Sequence, residues 1–180
     1  MKSIGILFLI ICSFSSSAQE NQPAKITENK AVIENPIFPE KCLGVWEGMM
    51  YIYSFNTLRD SVKVRFTAAE TETSGTYTWK KEYLSPTRPM VKDYKLVIDD
   101  LGKGRYILDE GDGVKLVEYN VGNKLYSLFQ VDGIYLTSST ELVGDKLIFE
   151  VTSGREDNEI KGIKNYSYTN VQRVVLQRID

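Results

Sequence analysis

From Val45 onward, apolar and polar residues alternate along the chain with a period of two, which is the pattern of half-buried β-strands. In the first of these strands, Trp46, Met50 and Ile52 share one face, while Glu47 lies on the other. No segment keeps a helical period for longer than a turn or two. The pattern therefore predicts an all-β domain.

Glycines punctuate the second half of the chain at roughly ten-residue intervals, the spacing of turns between successive antiparallel strands. Gly122, Gly133 and Gly144 each suit a two-residue hairpin turn, because such turns need a positive φ. The strands predicted around these turns span residues 105–108, 114–119, 124–131, 134–142, 146–152 and 171–179. Together with the first half, the pattern predicts an up-and-down antiparallel β-barrel of about 8–10 strands. A β-sandwich is the alternative, since a meander with regular turns serves both architectures.

Gly44 stands two residues before Trp46 at the start of the first strand, an arrangement that suits the closed end of a small barrel. There the indole fills the barrel end, and the glycine lets the incoming segment pass close beneath it. We expect Pro36 and Pro39 to exclude a helix and to make an extended segment or a short turn under Trp46. The other end is then open, and function is expected at that mouth.

The glycine and tryptophan of the first strand, the run of hairpins and the arginines of the last strand resemble the lipocalin-like barrels of the calycin group over residues 36–180. In that family an arginine of the last strand packs across the tryptophan, and a cation over an indole contributes about 0.5–2 kcal/mol. Arg173 and Arg178 lie on the predicted last strand with opposite facing, so the sequence leaves open which of them contacts Trp46. The resemblance implies that a small, often apolar molecule binds inside the barrel.

The N-terminal residues are expected to lie outside this domain. Residues 1–18 combine Lys2, an apolar run too short for a permanent membrane span and a small-residue cleavage site, the features of a signal peptide. Residues 19–35 are polar and are expected to form a flexible arm. A lipid-attachment role for Cys12 is the alternative, but the bulky Ile11 before it argues against that role. We therefore expect an exported protein, periplasmic or secreted, without a transmembrane segment in the mature chain, and the short leader suits a bacterium.

Composition narrows the function classes. The chain has no histidine, which excludes histidine-activated nucleophiles, histidine general bases and histidine ligation of zinc or haem. Cys42 is the only cysteine after the leader, so no disulfide forms within the domain, and we expect it to be a small buried residue. The net charge is −2 with both signs interspersed, and neither a nucleic-acid footprint nor a polybasic membrane patch is visible. We expect a protein that is not an enzyme and uses no cofactor.

Residues 109–113 have the sequence Asp-Glu-Gly-Asp-Gly, and carboxylates interspersed with glycines in this way can bind a calcium ion. The full calcium-binding loop and its terminal bidentate glutamate are missing. We interpret the stretch as a hairpin turn with solvated acids, and we expect no metal site.

Side chains on the inward strand faces are first of all core, and those near the open end are candidates for contacting a ligand. The candidate ligand contacts are Met50, Ile52, Phe66, Tyr77, Trp79, Tyr83, Phe129 and Phe149. The function that the sequence favours is non-enzymatic binding of a small hydrophobic or amphipathic ligand. The alternative is an interaction or inhibitor module that grips a protein or cell-envelope partner with residues 85–93 and 153–169. A barrel enzyme that works without histidine is the third reading.

Overall fold

The structure is a computed structural model that describes residues 36–157 and 160–180, so the predicted signal peptide and arm lie outside the described residues. Within these ranges one short helix precedes ten strands, and a 3-10 turn (Leu101–Lys103) joins the fourth strand to the fifth. The elements are α1 (Phe38–Lys41), β1 (Gly44–Ser54), β2 (Thr57–Glu70), β3 (Thr76–Tyr83), β4 (Met90–Asp100), β5 (Arg105–Gly111), β6 (Val114–Val121), β7 (Lys124–Val131), β8 (Ile134–Val143), β9 (Lys146–Arg155) and β10 (Asn170–Arg178).

The strands form one closed antiparallel barrel. Each strand pairs with its neighbours in sequence, and β1 closes the ring by pairing with β10. The prediction of an all-β, up-and-down barrel is confirmed, and the sandwich alternative is wrong because the ring is continuous. The predicted hairpin glycines Gly122, Gly133 and Gly144 lie in turns and have φ of 64°, 74° and 59°.

The inward side chains divide the barrel interior into two parts. The floor half lies at the end where α1 meets the start of β1, and its main side chains are almost completely buried: Trp46, Phe66, Trp79, Tyr106, Leu125, Leu147 and Leu176. The mouth half lies at the opposite end, and its apolar and aromatic inward side chains are only half-buried: Ile52, Val62, Tyr83, Tyr94, Leu116, Phe129 and Val151. In the floor half, the rings of Phe66 and Trp79 meet edge to face with 4.8 Å between their centres.

Helix α1 covers the floor end of the barrel. Phe38 is buried there, and the Glu40 carboxylate accepts hydrogen bonds from the Ile37 backbone N–H at 3.1 Å and from the Tyr77 hydroxyl at 3.4 Å. The expectation that the prolines exclude a helix is wrong. Pro39 lies in the first turn of α1, where its missing N–H would have had no partner within the helix. Neither helical segment in the described ranges has the length and apolar character needed to cross a membrane.

Candidate functional site

Trp46 fills the floor end of the barrel. Its indole N–H donates to the Cys42 carbonyl at 2.8 Å, and the Arg178 guanidinium lies 4.4 Å from the centre of the indole ring. Arg178 also donates a hydrogen bond to the Leu43 carbonyl. These contacts tie the end of the last strand to the segment that enters the first strand, and Trp46 and Arg178 together close the barrel.

The structure decides which of Arg173 and Arg178 contacts Trp46, because the two side chains lie on opposite faces of β10. Arg173 lies on the outer face of β10 and pairs with Glu150 at 3.1 Å, so it takes no part in closing the barrel. Arg178 is the arginine that packs on the indole, and Gly44 makes room for it. The φ of Gly44 is +124°, and a Cβ at this position would lie 2.5 Å from the Arg178 guanidinium.

Cys42 is fully buried at the floor end. Burial raises the pKa of its thiol to about 12, against smaller opposing effects of Arg178 and Lys41. A thiol that stays protonated at neutral pH is a poor nucleophile and a poor metal ligand. The expectation that Cys42 is a small buried residue is confirmed.

The predicted ligand contacts all lie on inward strand faces, but they divide between the two halves. Five of them are buried, namely Met50, Phe66, Tyr77, Trp79 and Phe149. Three are half-buried in the mouth half, namely Ile52, Tyr83 and Phe129. A molecule that enters from the open end meets the second group first. Contact between a ligand and any of these residues stays a prediction.

The buried part of the interior leaves little empty space. A cavity of about 10 Å³ lies among Val64, Phe66, Lys81, Thr140, Leu147, Phe149, Val174 and Leu176. A volume of that size holds about one water molecule. This cavity is therefore too small for a larger molecule.

Two residues of opposite charge lie buried where the two halves meet. Lys81 on β3 is 6% exposed, and Glu118 on β6 is 4% exposed. Lys81 Nζ lies 3.4 Å from the centre of the Phe149 ring, which is a cation–π contact. Glu118 Oε2 is buried without a hydrogen-bond partner. The ion pairs of the described residues do not include one between Lys81 and Glu118.

Burial dominates the electrostatics at this level of the barrel. It raises the pKa of the Glu118 carboxyl, while Lys81 lowers that pKa and Glu110 raises it. Burial lowers the pKa of the Lys81 amine, against the opposing effects of Glu118 and Glu110. Burial, followed by the charge of Glu110, raises the pKa values of Tyr83 and Tyr94. We call Lys81, Glu110 and Glu118 the ionic cluster, and it forms the base of the mouth half.

The sequence analysis missed the ionic cluster, although the alternation carries a signal for it. Lys81 stands two residues from both Trp79 and Tyr83 and therefore shares their inward face. Glu118 shares the inward face of Leu116 in the same way. A charged residue in the inward phase of a strand is informative, because burying a charge without a partner is costly.

The acidic stretch at residues 109–113 is not a turn throughout. Strand β5 continues to Gly111, and only Asp112 and Gly113 form the hairpin turn, with φ of 49° and 85°. Glu110 therefore lies on a strand, where its charge acts on Glu118 inside the barrel. In the described residues, no group of three or more His, Cys, Asp or Glu side chains is placed to hold a metal ion.

The pairing between neighbouring strands is shortest beside Glu118. Strands β6 and β7 pair only over residues 119–121 and 124–126. Beyond that point the Ser127 hydroxyl donates to the Val117 carbonyl at 2.7 Å, so a side chain makes the contact between the strands. Glu118 is the first inward residue of β6 on the mouth side of the paired region.

The segments predicted to grip a partner, residues 85–93 and 153–169, are loops only in part, because residues 90–93 belong to β4 and residues 153–155 to β9. Two grooves lie near these segments. The first, of about 930 Å³, follows the barrel rim beside residues 84–88. The second, of about 250 Å³, lies on the outer face of β7, β8 and β9, and its lining includes Leu128, Tyr135, Tyr166 and Tyr168. Gly154 allows the covering segment to approach β9, because a Cβ there would lie 1.6 Å from the Ser167 carbonyl oxygen.

Comparisons with known proteins bear on the fold alone. No protein-family profile and no curated protein matches this sequence. A protein of unknown function from the DUF3598 family of Nostoc punctiforme has a similar structure, with a TM-score of 0.52 and 11% identity over 76% of this chain and 47% of that protein. Rv2717c from M. tuberculosis gives a TM-score of 0.48 and 14% identity over 77% of this chain and 92% of that one. This chain thus spans less than half the length of the Nostoc protein, and the likeness to that protein supports the barrel fold.

Proposed function

We propose that this protein is an exported, non-enzymatic, lipocalin-like binding protein that holds one small amphipathic molecule in the mouth half of its barrel. The observation that carries the proposal is the change from a packed floor half to a half-buried mouth half with an ionic cluster at its base. Burying charge without a partner is costly, and a bound polar group would offset that cost.

The walls of the mouth half favour a molecule with an apolar body and one polar end. Ile52, Val62, Leu116, Phe129 and Val151 place apolar surface on the walls, and each is half-buried. Apolar walls with a few converging polar groups are typical of small-molecule sites. A barrel of this size holds one small ligand rather than a large one.

The side chains available favour binding over catalysis. The chain has no histidine, and the Cys42 thiol is buried with a raised pKa. Export, to the periplasm or the medium, is proposed from the signal-peptide features of residues 1–18.

Native mass spectrometry of protein purified from a host that exports it tests the binding proposal. We expect a co-purified small molecule on the wild-type protein. Leu116→Trp should remove that mass, because Leu116 faces into the mouth half and a larger side chain there fills the space. Val117→Trp is the matched control, since the neighbouring residue lies on the outer face and is exposed. A clean apo mass in every preparation, or equal effects of the two variants, would count against the proposal.

A second candidate function is a protein-interaction or inhibitor module. It is favoured by the outer groove of about 250 Å³ and by the exposure of Leu128 and Tyr168 beside it. Exposed tyrosines suit protein interfaces, because they are rigid and amphipathic. Affinity capture with wild-type protein and with a Leu128→Ser, Tyr168→Ser variant tests it. A specific partner that the double variant loses would support this function, and identical capture profiles would exclude that groove.

A further inference from the structure

Glu118 Oε2 is the buried side-chain polar atom that the described residues leave without a hydrogen-bond partner. An unsatisfied buried acceptor costs about 1–3 kcal/mol, and more when it is charged. When Glu118 is ionised, its carboxylate oxygens only accept hydrogen bonds, so a ligand group that satisfies this oxygen has to donate one. An ionised carboxylate or an ether has no hydrogen to donate, so these groups do not fit this position.

Lys81 does not satisfy Glu118. Its Nζ atom lies over the Phe149 ring, and the face of an aromatic ring already stabilises a cation. Lys92, the cross-strand partner of Lys81, faces the same side and is half-buried. The charges that act on Glu118 are nevertheless those of Lys81 and Glu110. No ion pair of the described residues joins Lys81 or Lys92 to Glu110 or Glu118.

We infer that the ligand is a small alkylamine whose ammonium group binds Glu118 Oε2 from the mouth side. This inference deepens the proposed binding function and rests on it. An ammonium group donates hydrogen bonds and would give the unpartnered Glu118 oxygen a positively charged donor, and charge-assisted hydrogen bonds are the stronger kind. The alkyl part then lies against the half-buried side chains of Leu116 and Phe129.

Three probes of equal chain length separate the contributions of charge and of apolar surface: hexylamine, hexanol and hexanoate. Their affinities are measured by isothermal titration calorimetry at about pH 8, where the Glu118 carboxyl, with a pKa of about 7, is mostly ionised and hexylamine still carries its positive charge. We expect hexylamine to bind at least about tenfold more tightly than the other two, which corresponds to about 1.4 kcal/mol. Glu118→Gln should weaken hexylamine binding by about tenfold and change hexanol binding little, because the amide keeps the shape and loses the charge.

Two further variants control the assignment. Glu150→Gln removes an acid on the outer face, where Glu150 pairs with Arg173, and should leave all three affinities unchanged. Lys81→Met removes the cation that competes for the same acids, so it should strengthen hexylamine binding. Circular dichroism and the urea midpoint establish that each variant is folded, and Lys81→Met supplies an independent test if Glu118→Gln fails to fold.

The outcomes separate this inference from the proposed function. Hexanol or hexanoate binding as tightly as hexylamine, or full hexylamine affinity in Glu118→Gln, would overturn the amine assignment and leave barrel binding in place. The same holds if none of the three probes binds while native mass spectrometry still finds a co-purified molecule. No probe binding together with a clean apo mass would overturn both.

Discussion

The floor half and the mouth half are built from the same continuous strands, yet they differ in whether their buried polar groups have hydrogen-bond partners. In the floor half, the Trp46 indole N–H donates to the Cys42 carbonyl and the Tyr77 hydroxyl donates to Glu40. At the base of the mouth half, Glu118 Oε2 is equally buried and has no partner. The floor half is densely packed and these two polar groups are paired, whereas the mouth half combines the unpartnered Glu118 Oε2 with inward side chains that are only half-buried.

This contrast suggests a division of tasks within one fold. A closed ring of strands lets dense packing at one end stabilise the whole barrel. The other end can then keep an arrangement that is unfavourable for folding but useful for recognition. Departures from complete polar satisfaction in native proteins are expected at such functional sites.

The largest expected effect comes from equal truncations in the two halves. Leu125→Ala in the floor half should lower the free energy of unfolding by about 2–5 kcal/mol, because Leu125 is fully buried and leaves a cavity. Leu116→Ala in the mouth half should cost only about 1 kcal/mol, since its side chain is only half-buried. Urea unfolding measures the free energy of unfolding of both variants. Equal losses in the two variants would contradict the difference in packing between the floor half and the mouth half.

The pH dependence of stability tests the ionic cluster. The pKa of Glu118 is raised from 4.5 to about 7 in the folded protein, so the folded state holds this proton more tightly than the unfolded chain. The stability that results is complete below pH 4.5 and is lost as the pH rises to about 7. We expect a loss of about 3 kcal/mol over this range in urea unfolding at successive pH values.

Glu118→Gln is the control for this pH profile, because no acid then titrates at that position. Lys81, Glu110, Tyr83 and Tyr94 face the same region. Lys81, with a pKa of about 8, and the two tyrosines titrate above the window. A profile in Glu118→Gln as steep as that of the wild type would show that other groups cause the slope.

The smallest expected effect concerns the two arginines of β10. Arg178→Met removes the cation over Trp46 and the hydrogen bond to the Leu43 carbonyl, and should cost about 1–2 kcal/mol of stability. Arg173→Met removes only an exposed pair with Glu150 and should cost less than about 0.5 kcal/mol. Thermal unfolding compares them, and a larger effect of Arg173→Met would contradict the assignment of barrel closure.

Much of the architecture could be predicted because strand alternation and hairpin glycines are local signals. Trp46 at the closed end followed from its place beside Gly44 at the start of β1. The choice between Arg173 and Arg178 could not be made, because it depends on the register between β1 and β10. In that register Trp46 lies opposite Arg178, whereas Arg173 lies opposite Tyr51. Local pattern does not specify such long-range pairing.

The candidate site was predicted less completely, and the reason lies in how charges were interpreted. Lys81 and Glu118 follow the inward phase, but exposure is the usual state of a charged residue. Glu110 was assigned to a turn because the acidic stretch at residues 109–113 resembles one, whereas β5 continues to Gly111 and includes Glu110. The proximity of the three charges comes from strands β3, β5 and β6, and sequence spacing alone does not show it.

Methyl NMR during a titration with hexylamine tests the central claim most directly. The account predicts shift changes confined to the mouth half, at Ile52, Val62, Leu116 and Val151, with the methyl groups of Leu125 and Leu147 in the floor half unchanged. The same titration of Glu118→Gln should give much smaller changes at equal hexylamine concentration. Shift changes centred on Leu128 in the outer groove, or spread equally over both halves, would contradict the account.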